Sequence, residues 1–583
     1  MARPSNSREA KELYELKQRA VEYYSENGVP KKMEELLNSM FYDDPEDVYG
    51  HVANYFEGYA KTPTINKVKA MEALDSKGQP TLQTEVYCKI KNFEKLVASS
   101  TSNSPNSRLS EAAKIEDIDE EMQEKKDSVT AAVGYINDTL NDKLHFLDPT
   151  NQSEADTLVS NEIKKLQEDF EEKNKELEEK EPTPPPQETP PPSKKGKSPT
   201  KKGKGPPVVI IPDEPLEKLF SGCNAVGALS KAICEAGAQV KNVPLYEHIA
   251  TLRLKQAPGS YTLPVPMVTI LQSGKAAPGK LNCVKEFMIT PKPGMPVQEA
   301  AKHISNIYQV IAKQLFQKTG IAAKFVNDNG ALVPTMDRPE QGLDMIQEAM
   351  TLLELTAGED FHIVINAAGQ ECFDFDKGKY EVTTGQQKTA EDTVEFWVEL
   401  LNRYPSVIGL IDPLRKQDKE CWMKLCDRIT ERLFMIGDHV YHRPGLLNDE
   451  EINVDDFKTS GISLRYELMT SVTDIITCSD KVKQNGNIVI LSANQAETPD
   501  TFIVDLAVGL EVKFLRIGAP CRGERIAKLN RLSQIEAQLT QQKITEQIFY
   551  EFPHIQPPPP PEPEEGELVE PEPEKNKSTP KKK

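Results

Sequence analysis

Eight short apolar runs alternate with stretches of helical character between residues 261 and 552. The first two runs are only about fifteen residues apart, which is too few for a crossover helix, so we expect them to form an antiparallel hairpin. The later runs alternate with helices, as in a parallel barrel. We therefore predict an eight-stranded α/β barrel whose first two strands are antiparallel, built from PVPMVTIL, FMITP, HIVINAA, VIGLIDP, FMIGDHV, ISLRYEL, NIVILSA and FLRIGAP.

Reactive side chains of such a barrel stand at the carboxyl ends of its strands. Strand ends therefore give the candidate site positions before any family is considered. These positions are Asn366, Ile411, Asp412, Asp438, Arg465, Ala493, Asn494 and Arg516.

Proline clusters divide the 583 residues into separate units. Residues 182–207 combine proline with lysine and glycine, which predicts an extended, exposed spacer. The charged run before it, residues 161–181, has roughly heptad apolar spacing, but its short length favours one solvated helix over a coiled coil. The acidic, proline-rich tail, residues 553–583, is predicted to be disordered.

Charge and cysteine usage restrict the class of protein. A formal net charge of −20 argues against a general binder of nucleic acid or of anionic membranes. The nine cysteines show no CxxC pair and no zinc-ligand spacing, as expected in a reducing compartment. The sequence shows no apolar run long enough to span a bilayer and no signal peptide at the start. We expect a cytoplasmic protein without membrane insertion.

An amphipathic helical pair precedes the barrel. Pro30 opens the first helix, and residues 44–47 (DPED) cap and start the second. Two such helices cannot bury their apolar faces alone, so we expect two copies to pair into a four-helix bundle. The residues expected to form the partner-docking face are Leu36, Leu37, Met40, Val52 and Phe56.

Residues 18–60 of this segment resemble the dimerisation-and-docking domain of type II regulatory subunits of cAMP-dependent protein kinase. That resemblance implies a groove for an amphipathic helix of an anchoring protein, and anchoring in a cilium or sperm flagellum. The alternative is a helical hairpin that packs against the barrel.

Four stretches outside this segment carry a further resemblance: LDSKGQPTLQTEV, SGCNAVGALSKAICEAGAQVKNVPLYEHIATL, KEFMITP and the run from Ile490 to Glu536. Together they resemble the enolase family, and within it the sperm-type members more than the housekeeping forms. The resemblance covers about residues 63–548. It implies a helical docking module at 1–62, an α+β domain at 63–260 interrupted at about 161–207, a barrel at 261–552 and a tail from 553.

The resemblance implies interconversion of 2-phosphoglycerate and phosphoenolpyruvate, with magnesium as cofactor. The three carboxylates of the family metal site correspond to Asn366, Ile411 and Asp438. This exchange cuts the formal ligand charge from −3 to −1 and places a hydrocarbon where magnesium needs oxygen. We therefore expect magnesium to bind weakly.

The catalytic positions implied by the resemblance are altered as well. The family base corresponds to Arg465, whose guanidinium does not readily give up a proton, and the family acid corresponds to Asn329, whose amide has no proton to deliver. Glu286 is retained as a catalytic and substrate-binding residue, and Arg516 replaces a substrate-binding lysine. Four further family positions, a loop histidine and a phosphate-binding His-Arg-Ser trio, correspond to Ala276, Ala493, Asn494 and Gln495.

The sequence alone leaves several alternatives open. Arg465 is expected to fill the former site and to pair with Asp438 or Glu286. The Glu286–Arg516 pair is either a relic ion pair or a remaining anion site. The chain is either a tethered enolase of flagellar glycolysis with low turnover or a catalytically inactive scaffold of the flagellum. It is expected to form a homodimer, or a mixed dimer with another enolase.

Overall fold

The computed structural model describes residues 6–104, 115–180, 220–275, 277–429, 431–441, 447–448, 457–466 and 469–544. The proline-rich spacer, the tail from residue 553 and Ala276 lie outside these ranges, so the predictions made for them stay predictions. The chain divides into two compact units. The N-terminal unit comprises residues 1–64 with 88–95, and the main unit comprises the rest.

The N-terminal unit contains three helices, α1 (Asn6–Glu26), α2 (Val29–Asp43) and α3 (Val48–Glu57). The two predicted helices, α2 and α3, are present. Pro30 lies in the first turn of α2, and the side chain of Asp47 caps α3 by accepting a 2.9 Å bond from the backbone N–H of Gly50. The helix α1 was not predicted. Its apolar residues interleave with many charged ones, so its helical period was not recognised.

The first part of the main unit is a three-stranded sheet with helices. Its strands, in sheet order, are β1 (Thr64–Leu74), β2 (Pro80–Ile90) and β3 (Phe93–Thr101). Its helices are α4 (Ile115–Tyr135), a π-helical turn (Ile136–Leu140), α5 (Asn141–Leu144), α6 (Gln152–Lys180), α7 (Asn224–Lys241) and α8 (Leu245–Leu254).

Helix α6 corrects the expectation of a solvated helix from residue 161. It begins nine residues earlier, at Gln152, and Ile163 is only 3% exposed. Val159, one turn before, is buried too. The first half of the helix therefore packs into the main unit, because the apolar residues at its start and those of the charged run share one helical face.

The eight predicted apolar runs all form strands of one closed barrel. Strand β5 is antiparallel to both β4 and β6, and the other neighbours in the barrel are parallel. In barrel order the strands are β4 (Val265–Gln272), β5 (Glu286–Pro291), β6 (Phe361–Asn366), β10 (Val407–Ile411), β11 (Phe434–Gly437), β12 (Gly461–Leu464), β13 (Ile488–Ser492) and β14 (Phe514–Gly518).

A small second sheet lies between β6 and β10 in the chain and contains β7 (Phe373–Asp374), β8 (Lys379–Thr383) and β9 (Gln386–Lys388). The helices that follow β5 are α9 (Val297–Thr319), α10 (Pro339–Leu352), α11 (Ala390–Arg403), α12 (Lys419–Ile429), α13 (Val472–Gln484), α14 (Phe502–Gly509) and α15 (Gly523–Gln542). Short 3₁₀ turns occupy Gly320–Lys324, Lys416–Asp418 and His439–Tyr441.

The inside of the barrel is a packed apolar core, so it is not a pore. Its members include Ile411, which is fully buried. The whole cluster consists of Val265, Met267, Met288, Val364, Ile408, Ile411, Phe434, Ile436, Ile490 and Phe514. This core forms the floor beneath the polar residues at the strand ends. Within the described ranges, the helices lack the length and apolar character needed to cross a membrane.

Candidate functional site at the barrel mouth

The strand ends bring most of the predicted site residues to one mouth of the barrel. Asn366 is the last residue of β6, and Asp438 directly follows β11. Arg516 lies two residues before the end of β14. Glu286 reaches the same mouth from the other direction. Because β5 is antiparallel, its first residue, Glu286, pairs in register with the last residue of β6, Asn366.

Glu286 is the centre of one half of the site. The carboxylate is 1% exposed and accepts bonds from the amide nitrogens of Asn329, at 2.9 Å, and Asn366, at 2.8 Å. It also forms an ion pair with Arg516. Burial alone would raise the pKa of Glu286, but the Arg516 guanidinium and the Asn366 amide outweigh burial and hold the pKa below its ordinary value. Glu286 is therefore an ionised carboxylate.

Asp438 is the centre of the other half. Its Oδ2 accepts a bond from Nη2 of Arg465 and a 2.9 Å bond from Nη1 of Arg516. Burial would raise the pKa of Asp438, but the two guanidinium groups lower it below the usual value. The expected pairing of Arg465 with Asp438 is present. Arg516 joins the two halves, since one of its nitrogens contacts Asp438 and the other contacts Glu286.

Arg525 is a site residue that the sequence analysis did not single out. It is 1% exposed, and its Nη2 donates to Oδ1 of Asn329 at 3.2 Å and to the backbone oxygen of Gln495 at 2.8 Å. The amide of Asn329 thus lies between Arg525 and Glu286. The residue stands in the GERIAKL run of the family-like segment, but only the fold shows that this arginine turns inward from the first turn of α15.

The loop after β13 is held mainly through its backbone. The N–H of Ala493 donates to the oxygen of Arg516 at 2.9 Å, and the N–H of Asn494 donates to Oε1 of Glu497 at 2.8 Å. Glu497 in turn pairs with the fully buried Lys528 at 2.7 Å. The cavity beside Asn494 has a volume of about 20 Å³, room for about one water molecule. A pocket for a small organic ligand is typically about 300–1,000 Å³.

The three residues that the resemblance assigns to the metal positions, Asn366, Ile411 and Asp438, do not fit magnesium. Ile411 packs in the apolar barrel core, Asn366 directs its amide nitrogen at Glu286, and Oδ2 of Asp438 already accepts from two guanidinium groups. A hard cation needs several oxygen ligands that are free to coordinate it. In the part of the chain that the structure describes, His, Cys, Asp and Glu side chains do not gather in threes at any place suited to a metal ion.

Asp412, which follows Ile411, does not take over the metal role. Its carboxylate accepts the backbone N–H groups of Asp438, at 2.9 Å, and His439, at 2.5 Å. Its backbone has a positive φ of 45°, which turns the side chain toward these amides. Burial and the neighbouring Asp438 raise the pKa of Asp412 to about 7. Asp412 therefore positions the loop that carries Asp438.

The mouth as a whole is a closed ion network. Arg465 and Arg516 pair with the two ionised carboxylates, those of Glu286 and Asp438. Arg525 donates to the amide oxygen of Asn329. A guanidinium does not accept a proton and an amide does not deliver one. Among the residues that the structure describes at the mouth, both carboxylates of this network are ion-paired with arginine, so the network offers no unpaired base for proton abstraction from carbon. The arrangement can hold charge, and it can contact an anion if the ion pairs open.

Known proteins give an independent comparison. The family model described as "Enolase, C-terminal TIM barrel domain" matches residues 260–548, and the one described as "Enolase, N-terminal domain" matches residues 65–165. Neither match reaches the N-terminal helices. The resemblance of those helices to a docking domain therefore stays a prediction.

Relatives match over nearly the whole chain. The chain is 38% identical to "Enolase 4" of Homo sapiens over 564 residues, which cover 91% of this chain and 89% of the relative. It is 39% identical to "Enolase 4" of Xenopus tropicalis over 543 residues, covering 92% and 93% of the two chains. It is 29% identical to "Enolase" of Solanum lycopersicum over 486 residues, covering 82% and 96%. The barrel with its antiparallel second strand, the preceding α+β region and these matches agree, and the chain belongs to the enolase family.

Proposed function

We propose that this chain serves the enolase step of glycolysis, the interconversion of 2-phosphoglycerate and phosphoenolpyruvate, chiefly as a tethered assembly subunit with low turnover of its own. The observation that carries this proposal is the ion network at the barrel mouth. Glu286 and Asp438 both form ion pairs with Arg516, and Arg465 adds a second guanidinium to Asp438. Of the described residues, these two carboxylates are therefore engaged with arginine and are poorly placed to remove a proton from the substrate.

Proposed tethering depends on the N-terminal unit. Leu36 is buried, whereas Leu37 on the same helix is 54% exposed. An exposed leucine on an amphipathic helix suits a face that binds another helix. By the resemblance of residues 18–60, the partner is an amphipathic helix of an anchoring protein in a cilium or flagellum.

A second candidate is an enolase with a nearly conventional rate of its own. The family glutamate is retained as Glu286, and three arginines converge on the mouth that would receive a substrate with a carboxylate and a phosphate. Arginine binds both groups well, often through two parallel bonds. In this candidate the substrate competes with Glu286 and Asp438 for the guanidinium groups.

Formation of phosphoenolpyruvate by the purified chain decides between the two candidates. With magnesium and 2-phosphoglycerate, we expect a rate at least about 10²-fold to 10⁴-fold below that of a conventional enolase, as for the loss of a general acid or base. Glu286→Gln is the matched control, because residual activity that survives this change comes from a contaminant. A rate within about tenfold of a conventional enolase, abolished by Glu286→Gln, would establish the second candidate and reject the first.

A mixed dimer is the assembly that gives such a subunit a role in glycolysis. Enolases are generally dimeric, so a barrel that keeps its fold can keep a partner. Co-expression with a conventional enolase of the same cell, followed by purification through a tag on this chain alone, should recover both chains. Recovery of this chain alone would restrict it to a scaffold without an active partner.

A further inference from the structure

The helix α1 carries a large apolar surface that its own unit leaves uncovered. Its six largest apolar and aromatic side chains are between 51% and 67% exposed. These are Leu13, Tyr14, Leu16, Val21, Tyr23 and Tyr24. The helix spans 21 residues, which makes it about 30 Å long. The docking face predicted on α2 and α3 includes none of these six side chains.

Helical geometry places the apolar side chains of α1 on one half of its surface. At 100° per residue, the arc from Tyr23 through Leu16 and Leu13 to Tyr14 covers about half of the helix circumference. The other half carries polar side chains, among them Glu15, Arg19 and Glu22, of which all are exposed. The contacts of the tyrosines include a 3.1 Å bond from Gln18 to Tyr14 and a ring contact between Tyr23 and Tyr24, both within α1 itself.

The exposed area is close to what a stable protein interface uses. A large side chain has about 150–250 Å² of surface, so six side chains that are more than half exposed present on the order of 600 Å². The largest apolar patch of an ordinary monomer is about 300–600 Å². One side of a standard interface buries about 800 Å². The exposed apolar face of α1 alone therefore has most of the area that one side of such an interface buries.

The unit also lacks a core that could stabilise it alone. In the described part of residues 6–64, Leu36 is the only buried apolar side chain of the three helices. Isolated helices of this length are only marginally stable in water. Helix α2 adds exposed apolar residues of its own, Met33, Leu37 and Phe41. A second copy of the unit therefore offers apolar surface that matches the face of α1 in kind and in extent.

Charge argues against a lipid surface as the occupant. Helix α1 carries four basic and five acidic side chains, so its net charge is about −1. Helices that bind anionic membranes carry a polar face rich in lysine and arginine. The mixture of both signs found here is typical of helices that pack against other protein helices.

We propose that α1 buries its apolar face against a second copy of this chain, so that each copy contributes three helices to the docking module. The inference rests on the proposed docking function of the N-terminal unit and extends the docking face from α2 and α3 to α1, of which the resembling residues 18–60 include only the last part. Leu16 lies near the middle of this face and Tyr24 near its end. Packing them against the second copy would bury apolar surface in a module whose described helices otherwise bury only Leu36 in each copy.

Hydrogen exchange and cross-linking of the full chain test this proposal together. Equal amounts of light and heavy-nitrogen chain are mixed, allowed to exchange subunits and treated with an amine-reactive cross-linker. We expect mixed-mass links from Lys11 or Lys17 to lysines of the other copy, and backbone amides of α1 that exchange at least about tenfold more slowly than those of an isolated helix. Leu16→Glu with Tyr24→Glu should abolish both signals, whereas Glu15→Gln with Arg19→Gln on the polar half should keep them.

Two other outcomes would overturn the proposal, and a third would separate it from the docking proposal. Links confined to one mass would show that α1 folds back on its own chain. Rapid exchange in the wild-type chain would show that the face has no partner. If the Leu16 and Tyr24 variants lose the links but Leu37→Glu keeps them, α1 pairs as proposed and the docking role of Leu37 fails separately. Enolase turnover enters none of these readouts, so a failed catalytic proposal leaves the result intact.

Discussion

Arg516 and Asp438 form a buried ion pair in which Nη1 lies 2.9 Å from Oδ2. The same oxygen also accepts from Arg465. In a conventional metal site this carboxylate would face a divalent cation, whereas here two guanidinium groups supply the positive charge. The arginines are covalently part of the chain, so this neutralisation does not depend on any ion in solution.

Removing the charge of Asp438 should destabilise the main unit. We expect Asp438→Asn to cost about 3–5 kcal/mol at neutral pH, because it removes the one carboxylate that Arg465 and Arg516 both contact and leaves an excess of positive charge at a buried site. Asp427→Asn is the matched control, since its pair with Lys458 is more than half exposed on both sides and is expected to contribute at most about 1 kcal/mol. Denaturant unfolding of the two variants measures the difference. Equal costs would mean that the network at the mouth does not stabilise the fold.

The same pair predicts how that cost varies with pH. The folded-state pKa of Asp438 is lowered, so its stabilisation is present above the unfolded value of about 4 and is lost as the pH falls through the lower folded value. The difference between wild type and Asp438→Asn should therefore shrink below about pH 4. It should also change near pH 7, because Asp412 titrates there beside the Asp438 carboxylate and loses that neighbouring charge in the variant. A difference that grows as the pH falls below about 4 would contradict the assigned direction of the shift.

Magnesium should bind weakly to the full chain. One carboxylate that already serves two arginines, one amide and one isoleucine do not make a magnesium site. Titration calorimetry of the chain without substrate should detect little heat. Asp438→Asn serves as the control, because any heat that it leaves unchanged comes from elsewhere on this acidic chain. A dissociation constant in the low micromolar range, lost in the control, would refute the assignment of Asn366 and Ile411.

Arg465→Lys alone should not restore turnover. Lysine can act as a base when its pKa is lowered, but Asn329 still supplies no acid and the metal positions stay depleted. When several catalytic residues act together, restoring one of them alone recovers little of the activity. The assay measures the rate of phosphoenolpyruvate formation. Arg516→Lys is the control, because it shows whether replacing another arginine of the site by lysine raises that rate as well. Conventional rates in Arg465→Lys would identify Arg465 as the single defect.

Leu37→Glu should break the pairing of the N-terminal unit and release its helical partner. The wild-type fragment of residues 1–62 is expected to dimerise, since each large apolar side chain that it buries contributes about 1.5–3 kcal/mol. Asn38→Glu places the same charge at an exposed polar position and should leave the dimer intact. Sedimentation of the three fragments checks this. A wild-type monomer at tens of micromolar, on the order of the concentrations used in such runs, would favour a hairpin that packs on the barrel.

Strand periodicity was sufficient to predict the barrel. All eight runs became strands, and the short connection before Glu286 correctly predicted the antiparallel pair. Such features are local, because strand length, apolar character and connection length are read along the chain. Helix α1 was missed because an amphipathic helix with charges on half its surface resembles a solvated segment in sequence.

The contacts within the site were less predictable. The sequence indicated that Arg465 would pair with Asp438 or Glu286, and the fold selects Asp438. It did not indicate that Arg516 would contact both carboxylates, nor that Arg525 would reach Asn329. These contacts join residues up to 230 positions apart, so they depend on barrel closure and on the direction of side chains from several elements.

Ile411 ties the stability of the barrel to an uncharged core. It belongs to the apolar cluster that fills the barrel, alongside Val364 and Ile436. A carboxylate introduced at this position would place a charge among hydrocarbon, at a cost of several kcal/mol unless a cation or other partner is introduced at the same time. An engineered metal site at this mouth would therefore need its ligands and its metal together, because each carboxylate added alone weakens the fold that has to hold it.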